Sequence, residues 1–339
     1  MRFAIIGAGY IGPINTAALM EVQDAEIAAI SNRTLEKAQA LCAGLGLRCP
    51  TYADWREMLE REKPDAVVIN LYNDLHKECF LECARRGIHV LLEKPVANTY
   101  TDCLEMMEAA EKAGIKVSVL QTQRYNAVFI TAKAYIDAHA QQLGELVSVN
   151  DNMCCHYFWA RRSVWHLDPV RSGGGIVLNY GVHQLDRIHW FMQQKTVSFH
   201  AQYLTKKPGI ATCSSYAMMG VSDGGTPYVA TCTGNSDPLV NEMTLAYQNG
   251  IVRCVLGDNG ETQMGAYVGD TDSGGFHRLP LLVENGEMNH LMYTRQFTEA
   301  ADYLMGKTDV PPVPLAWGAE MVRLCCLGFG ASPAAGLQS

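Results

Sequence analysis

The sequence predicts an α/β half followed by an α+β half. The first is an N-terminal Rossmann domain with a doubly wound parallel sheet; the second is built on a large open, mainly antiparallel sheet. Three observations point there. Strand and helix signals alternate with short connections through roughly the first 120 residues, the rhythm of a parallel sheet covered on both faces. The turn Gly7-Ala8-Gly9-Tyr10-Ile11-Gly12 directly follows the first apolar run, where a dinucleotide-binding unit carries its glycines. Beyond the parallel region, stretches of period-two alternation succeed one another, as antiparallel strands do.

Residues 2–7 read as a buried strand. A helix over 10–21 tolerates Pro13 only in its first turn, where the missing N–H has no partner to lose. A second strand spans 25–31. Thr34 stands at the cap of a helix running to about Cys42, which Gly44 and Gly46 end. Residues 65–71 are almost unbroken in apolar character, as a strand buried on both faces must be. Helices at 74–86 and 100–113 close at Gly87 and Gly114, and strands at 88–92 and 116–121 follow them. This sets the first domain at 1–122 and the second at 123–339. The second has helices at 124–139, 182–193, 291–306 and 316–327. Its strands lie at 146–156, 197–204, 212–219, 228–234, 242–247 and 251–256, with Gln248-Asn249-Gly250 as a hairpin turn. Residues 269–275 read as a loop, and the tail from Ala331 as a fraying end.

A chain of 339 residues fits about two domains of ~150 residues each. Apolar residues make up 48% and charged residues 18%, which excludes a disordered chain. The net charge of −8, with no basic block, argues against nucleic acid and against an anionic membrane as partner. No apolar run nears the ~18–20 residues of a membrane span. The N-terminus is broken by Gly7 too early for a signal peptide, so a cytoplasmic location is expected. None of the 12 cysteines falls in C-x-x-C spacing, and reduced thiols are the reading for so large a chain. Neither cysteines nor histidines cluster as metal ligands, so no metal is expected.

The glycine turn carries the cofactor argument. Gly7 permits the tight turn, Gly9 leaves room for a pyrophosphate, and Gly12 lets the helix pack closely on the strand. The helix N-terminus offers unbonded N–H groups to phosphate. The second strand ends at Ser31-Asn32-Arg33, about 20 residues past Gly12, where an NAD-specific site has a carboxylate. Asn32 bonds a ribose hydroxyl without charge, and Arg33 suits adenine stacking or a 2′-phosphate. NAD is the expected cofactor, with NADP also compatible.

Further along, Asn73-x-x-His76, Glu93-Lys94-Pro95, Arg124-Tyr125 and Gly173-Gly174-Gly175 followed by Asn179-Tyr180-Gly181-Val182-His183-Gln184-Leu185-Asp186 stand in fixed order. Together with the glycine turn they resemble the glucose–fructose oxidoreductase / inositol dehydrogenase / rhizopine catabolism (Gfo/Idh/MocA) superfamily over residues 1 to about 330. The resemblance implies an active site between the two domains and sugar, polyol or sugar-derivative substrates. It also implies homodimers or homotetramers through the C-terminal sheet and a cis Lys94–Pro95 peptide. The cofactor-binding set it implies is Gly7, Gly9, Tyr10, Ile11, Gly12, Asn32, Arg33, Leu71, Asn73, His76, Glu93, Lys94, Pro95 and Gln123.

Oxidising CH–OH requires a positioned base beside the hydride acceptor. Lys94 suits a developing alkoxide, and His183 has the ordinary pKa for proton transfer near neutrality. These are the expected catalytic residues. Family members with an Asp–His pair carry the Asp four residues before the His; this chain has Asn179, which bonds a hydroxyl but takes no proton. Asp186, one turn past His183, either orients the imidazole or caps structure elsewhere. The expected substrate-binding set is Lys94, Arg124, Tyr125, Arg161, Trp165, His166, Asn179 and His183, with Tyr180 a secondary candidate. Aromatics beside arginines suit a sugar ring with an anionic group. The leading expectation is a sugar oxidoreductase. The alternative is redox-neutral glycoside cleavage by transient oxidation and elimination on an acidic glycoside.

Overall fold

The computed structural model describes residues 1–159, 163–257, 263–270, 274–283 and 288–329. The chain divides into two compact units, Met1–Thr122 with His290–Val322 and Gln123–Asn289 with Arg323–Ser339.

In the first unit the elements alternate as expected: β1 (Arg2–Ile6), α1 (Gly12–Met20), β2 (Glu26–Ser31), α2 (Leu35–Gly44), β3 (Thr51–Tyr52), α3 (Trp55–Glu62), β4 (Ala66–Ile69), α4 (Asn73–Arg85), β5 (His89–Glu93), α5 (Tyr100–Ala113) and β6 (Val117–Leu120). The sheet order is β3-β2-β1-β4-β5-β6, parallel throughout. This doubly wound order places every loop that follows a strand along one edge, with the strand order reversing between β1 and β4. Central strands are buried on both faces, with Ala66, Val67, Val68 and Ile69 fully inaccessible. The short β3 and the helix α3 after it, capped by Asp54 accepting the Arg56 N–H, were not legible; a two-residue strand has no periodicity to read. Thr34 does stand before α2, but its side chain makes no capping bond.

The second unit begins with α6 (Ala127–Ala138), capped by Asn126, and α7 (Ala140–Leu143). Then follow β7 (Leu146–His156), α8 (Pro169–Ser172), a π-helical turn over Val177–Gly181, α9 (Val182–Met192), β8 (Thr196–Leu204), β9 (Ser215–Ser222), β10 (Pro227–Thr233), β11 (Asn235–Tyr247), β12 (Gly250–Val255), β13 (Gly265–Asp270) and β14 (Phe276–Arg278). The eight strands form one sheet in the order β14-β13-β12-β11-β7-β10-β9-β8. Only the β10–β7 pairing is parallel. The hairpin at Gln248-Asn249-Gly250 joins β11 and β12 as read. The expected loop over 269–275 begins instead as the end of β13, its residues 271–273 lie outside the described residues, and so does the tail from 331.

Residues His290–Val322 are grouped with the first unit, while Arg323–Ser339 are grouped with the second. Within α10 (Met288–Leu304), Phe297, Ala300, Ala301 and Leu304 are buried in one cluster with Phe3, Ile5, Leu19 and Val68. The backbone continues the contact: Val119 N–H donates to the Val313 carbonyl (3.0 Å). In α11 (Leu315–Leu327), Gly318 has no room for a side chain against Val96 and Val119. Sequence periodicity finds these helices; which core they complete is a tertiary fact. We expect Phe297→Ala to lower unfolding free energy by about 3–5 kcal/mol in urea titration. Leu327→Ala, at a half-exposed position, should stay within about 0.5 kcal/mol of the parent.

Candidate active site

The glycine turn is shaped by backbone crowding. Gly7 has φ +104°; its N–H donates to the Ser31 carbonyl (2.8 Å), and the Asn70 N–H donates to the Ile6 carbonyl (2.8 Å). A Cβ on Gly7 would stand 2.5 Å from the Asn70 carbonyl oxygen, and one on Gly12 would stand 2.6 Å from the Gly7 carbonyl oxygen. A Cβ on Gly9 meets nothing within 4 Å. The first and third glycines therefore serve the fold, and the second opens onto space. Ile11 precedes α1 without any side-chain cap, which leaves the helix N–H groups for an anion. Tyr10 is 93% exposed at the loop tip, and Ile11 is partly covered.

One turn into α1, Asn15 donates through Nδ2 to both Asn70 Oδ1 and Glu93 Oε1, each at 2.8 Å. This buried hub ties α1 to the ends of β4 and β5. Burial pushes the Glu93 carboxyl above its usual range, opposed by the Asn15 amide and the Lys94 charge. Its Oε2 accepts the Lys94 N–H at 3.2 Å. The Lys94–Pro95 bond is cis, as expected, Lys94 is half-buried, and Pro95 is buried. Asn73 opens α4 and is buried, while Leu71 is partly exposed just before it.

His76, expected at the cofactor, has no exposed surface, and its Nδ1 and Nε2 face the carbonyls of Pro95 (2.9 Å) and Leu71 (3.2 Å). It braces the loops after β4 and β5. Burial, first, holds its pKa below the ordinary value, and the neutral ring donates from one nitrogen only. Asn32 is likewise occupied: its Oδ1 accepts the Ala8 N–H (3.1 Å) and its Nδ2 donates to the Thr34 carbonyl (2.8 Å). Arg33 is exposed.

In the second unit three successive glycines, Gly173, Gly174 and Gly175, have φ of +64°, +116° and +70°. A Cβ on Gly174 would strike the Phe329 ring at 2.4 Å. The chain then makes the π-turn that carries Asn179 and Tyr180 and runs into α9 with His183, which is 9% exposed. Single π-turns of this kind are frequent at functional sites. Asn179 Nδ2 donates to the Tyr157 hydroxyl (3.1 Å). The Tyr157 ring sits edge-on to Tyr180 (5.3 Å) and to His166 (6.2 Å), which stacks on Trp165 (3.8 Å). Tyr157, fully buried, organises this group; in the sequence it heads the run of aromatics and arginines at 157–166 that suits a sugar ring with an anionic group, with no sign of its bond to Asn179. Arg161, expected to bind substrate, lies outside the described residues.

Two buried ion pairs hold α9. Arg124 forms a bidentate pair with Asp186, Nη2 to Oδ1 at 2.6 Å and Nε to Oδ2 at 3.0 Å. This gives Asp186 a structural pairing and engages Arg124 within the protein. The next residue, Arg187, pairs through two nitrogens with Asp151 of β7 and donates to Gln123 Oε1 (3.2 Å) and Asn241 Oδ1 (3.0 Å). Gln123, expected at the cofactor, is thus bonded to Arg187. Tyr125 is buried beside Arg124 in sequence.

The first unit fits a dinucleotide on its own evidence: open space at Gly9, an uncapped helix N-terminus, and buried polar atoms left over. Among the described residues Asn15 Oδ1, Asn70 Nδ2 and Gln121 Oε1 have no hydrogen-bond partner, although buried polar groups normally find one. Also among the described residues, no group of His, Cys, Asp and Glu side chains could hold a metal, and no helix is long and apolar enough to cross a membrane.

These features define a dinucleotide-binding fold of the Rossmann class, and the comparisons place the chain in a family. Residues 1–121 match the family described as "Oxidoreductase family, NAD-binding Rossmann fold", and residues 129–253 match the "GFO/IDH/MocA C-terminal domain". The chain belongs to the Gfo/Idh/MocA family. It is 30% identical over 178 residues to D-xylose 1-dehydrogenase (NADP(+)) 2 of Haloferax volcanii, covering 52% of this chain and 53% of that protein. It is 26% identical over 195 residues to myo-inositol 2-dehydrogenase of Thermotoga maritima, covering 58% and 56%. The matched region thus spans about half the length of these curated relatives. Among solved structures, the aldose-aldose oxidoreductase from Caulobacter crescentus complexed with glycerol superposes with a TM-score of 0.80 at 21% identity, over 99% of this chain and 97% of that one. An oxidoreductase from Agrobacterium radiobacter in complex with NAD+, L-tartaric acid and magnesium gives 0.80 at 16%, over 100% and 96%. At these identities the structures share the fold.

Two expected outcomes separate fold from site. Gly7→Ala should lower the melting temperature strongly, because both its φ and the Asn70 carbonyl oppose a side chain. Gly9→Val should keep the parent's melting temperature and lose dinucleotide binding, measured by calorimetry. The lowered pKa of His76 gives a third. Its contribution to stability is present above about pH 6.5 and is lost as pH falls below that value. The stability difference between about pH 7.5 and about pH 5.5 should therefore shrink in His76→Gln.

Proposed function

We propose that the protein is an NAD(P)-dependent oxidoreductase acting on a CH–OH group of a sugar or sugar derivative. The observation that carries this reading is Lys94. It follows the buried Glu93 carboxylate that Asn15 fixes, on the same edge as the glycine cradle. The names of the relatives point the same way, since they act on a sugar and a cyclitol. When bound, the nicotinamide supplies a hydride acceptor or donor. The protein residues handle the proton and the charge. Lys94 stabilises the oxygen as its proton leaves, and His183 exchanges that proton with solvent. Asn179 and Trp165 hold hydroxyls and ring faces of the substrate.

The working form is a cytoplasmic homodimer or homotetramer joined through the open sheet. Along β9, Tyr216, Met218 and Gly220 are buried while Ala217, Met219 and Val221 are exposed, an apolar stripe suited to a second copy.

The test is a sugar and polyol panel with NAD+ and NADP+, followed by absorbance of reduced nicotinamide and by mass spectrometry of products. Oxidised sugar with stoichiometric reduced cofactor is the expected outcome. Cleaved glycoside without reduced cofactor would replace this reading with the redox-neutral one. On the substrate so found, His183→Ala should lower kcat by roughly 10²–10⁴-fold, with Lys94→Ala at least as damaged. Both should retain dinucleotide affinity better than turnover. Near-parental kcat in His183→Ala would place the proton-transfer group elsewhere. Asn179→Asp should be tolerated or mildly harmful.

A further inference from the structure

Cys42 lies in the last turn of α2, and Cys49 lies between α2 and β3. Their sulfurs are 3.8 Å apart. Cys42 Sγ is also 3.1 Å from the Leu47 carbonyl oxygen and 3.6 Å from that of Cys49, so it is turned toward its neighbour. Cys42 is 8% exposed, while Cys49 is only half-buried, and a reagent in solution meets Cys49 first. Other cysteines touch as well, Cys79 with Cys83 and Cys155 with Cys232, but all four of those are buried. The connection from Cys42 to Cys49 has room to adjust. It contains Gly44 and Gly46, and a Cβ on either would meet nothing within 4 Å. A disulfide holds its sulfurs about 2.05 Å apart, so closure asks for a relative shift of under about 2 Å. The place also matters to the fold. The two-residue β3 is the edge strand of its sheet. The Ile30 N–H donates to the Pro50 carbonyl (3.1 Å) and the Asn32 N–H to the Tyr52 carbonyl (3.0 Å). The pair thus stands where this short edge is fastened to β2.

We propose that Cys42 and Cys49 are a redox-sensitive dithiol, which a low-molecular-weight disulfide oxidises to an intramolecular disulfide that staples the end of α2 to the start of β3. The Cys49 thiolate attacks one sulfur of the reagent, the reagent S–S bond breaks, and the departing thiolate takes up a proton. The Cys42 thiolate then attacks Cys49 Sγ in the mixed disulfide and expels the second half of the reagent, which also takes up a proton. Two protein thiols are oxidised and one reagent disulfide is reduced to two thiols; the protons lost by the cysteines balance those gained by the leaving groups. Cys42 is the resolving thiol because it is shielded from solution and already in contact. Burial, first, and then the Cys42 thiol push the Cys49 thiol up to about 12, so thiolate is scarce at neutral pH and the exchange is slow there. The pair stays reduced through brief exposure and closes under sustained oxidation. Closing this short ring removes freedom from the unfolded chain, which stabilises the edge.

The test uses the full-length protein, reduced, freed of reductant and then held with oxidised glutathione at about pH 8.5, where thiolate is commoner than at neutrality. Remaining thiols are alkylated and the protein is digested with trypsin. Cleavage after Lys37, Arg48 and Arg56 leaves Cys42 and Cys49 on separate peptides, 38–48 and 49–56. Their disulfide therefore shows in mass spectrometry as a joined pair that separates on reduction. That joined pair should be the main oxidised product, and the oxidised protein should melt several degrees above the reduced one. Cys42→Ala should stop at a glutathione adduct on Cys49, and Cys49→Ala should leave Cys42 without an adduct. Neither variant should gain melting temperature on oxidation. Glutathione adducts alone on the parent, alkylation of both thiols after prolonged treatment, or pairing of either cysteine with another in its place overturns the dithiol. A Cys42–Cys49 disulfide with an unchanged or lower melting temperature overturns the staple.

Discussion

The approach of residue 7 to the Asn70 carbonyl is the constraint on which the first unit depends. At this point β1 is bonded to β2 on one side, through the Gly7 N–H to Ser31, and to β4 on the other, through the Asn70 N–H to Ile6. Only glycine fits between them, because any Cβ would lie 2.5 Å from the carbonyl oxygen. The same turn aims the chain so that α1 starts against the Gly7 carbonyl, and α1 in turn delivers Asn15 to Asn70 and Glu93. One close backbone contact thus positions the phosphate cradle, the loop after β4 and the segment bearing Lys94. His76 completes the arrangement by joining the last two from behind.

The second unit solves its positioning problem with charge. Adjacent residues of α9, Asp186 and Arg187, pair with different partners, Arg124 and Asp151. Consecutive helical side chains point about 100° apart, so two such pairs fix the rotation of α9 as well as its place. Buried pairs bear a desolvation cost that often cancels their attraction, so their worth here is specificity of geometry more than net stability. The helix thus held carries His183, and the π-turn at its start carries Asn179 and Tyr180. Gln184, between these charges, donates to Asp151 and accepts from Tyr216, which anchors the helix to β7 and β9.

Much of this was legible in the sequence, and the reason lies in which part of the chain does the work. In the first unit the function resides in the backbone: glycine φ values, a helix N-terminus and strand ends. Those leave signatures in residue type and spacing, so Gly7, Gly9 and Gly12 could be read directly, while the Glu93-Lys94-Pro95 segment was marked by the family resemblance. Partners distant in sequence leave no such mark. Nothing in the spacing of Arg124 and Asp186 says that they pair, and nothing in His76 says that it faces two backbone carbonyls. Asn15 escaped for the same reason, since it acts through bonds to residues far along the chain. The grouping of His290–Val322 with the first unit is the largest example. Its helices are periodic, but periodicity does not identify the surface against which they are buried.

The first unit also bears a cost that a finished core would avoid. A buried polar group without a partner is destabilising by about 1–3 kcal/mol. Asn15 and Asn70 each leave one such atom beside the glycine turn, and Gln121 leaves one just past the end of β6. The buried central strands beneath them tolerate this cost. Glu93, kept buried with its carboxyl pushed upward, adds a charged form that burial disfavours. These groups cluster along the strand-end edge where the glycine loop opens. Apolar replacements there would relieve the strain and remove the polar lining that a dinucleotide needs. The strongest departures from a self-satisfied core and the features that fit a ligand therefore fall in the same place, as they should when stability has been given up locally for binding.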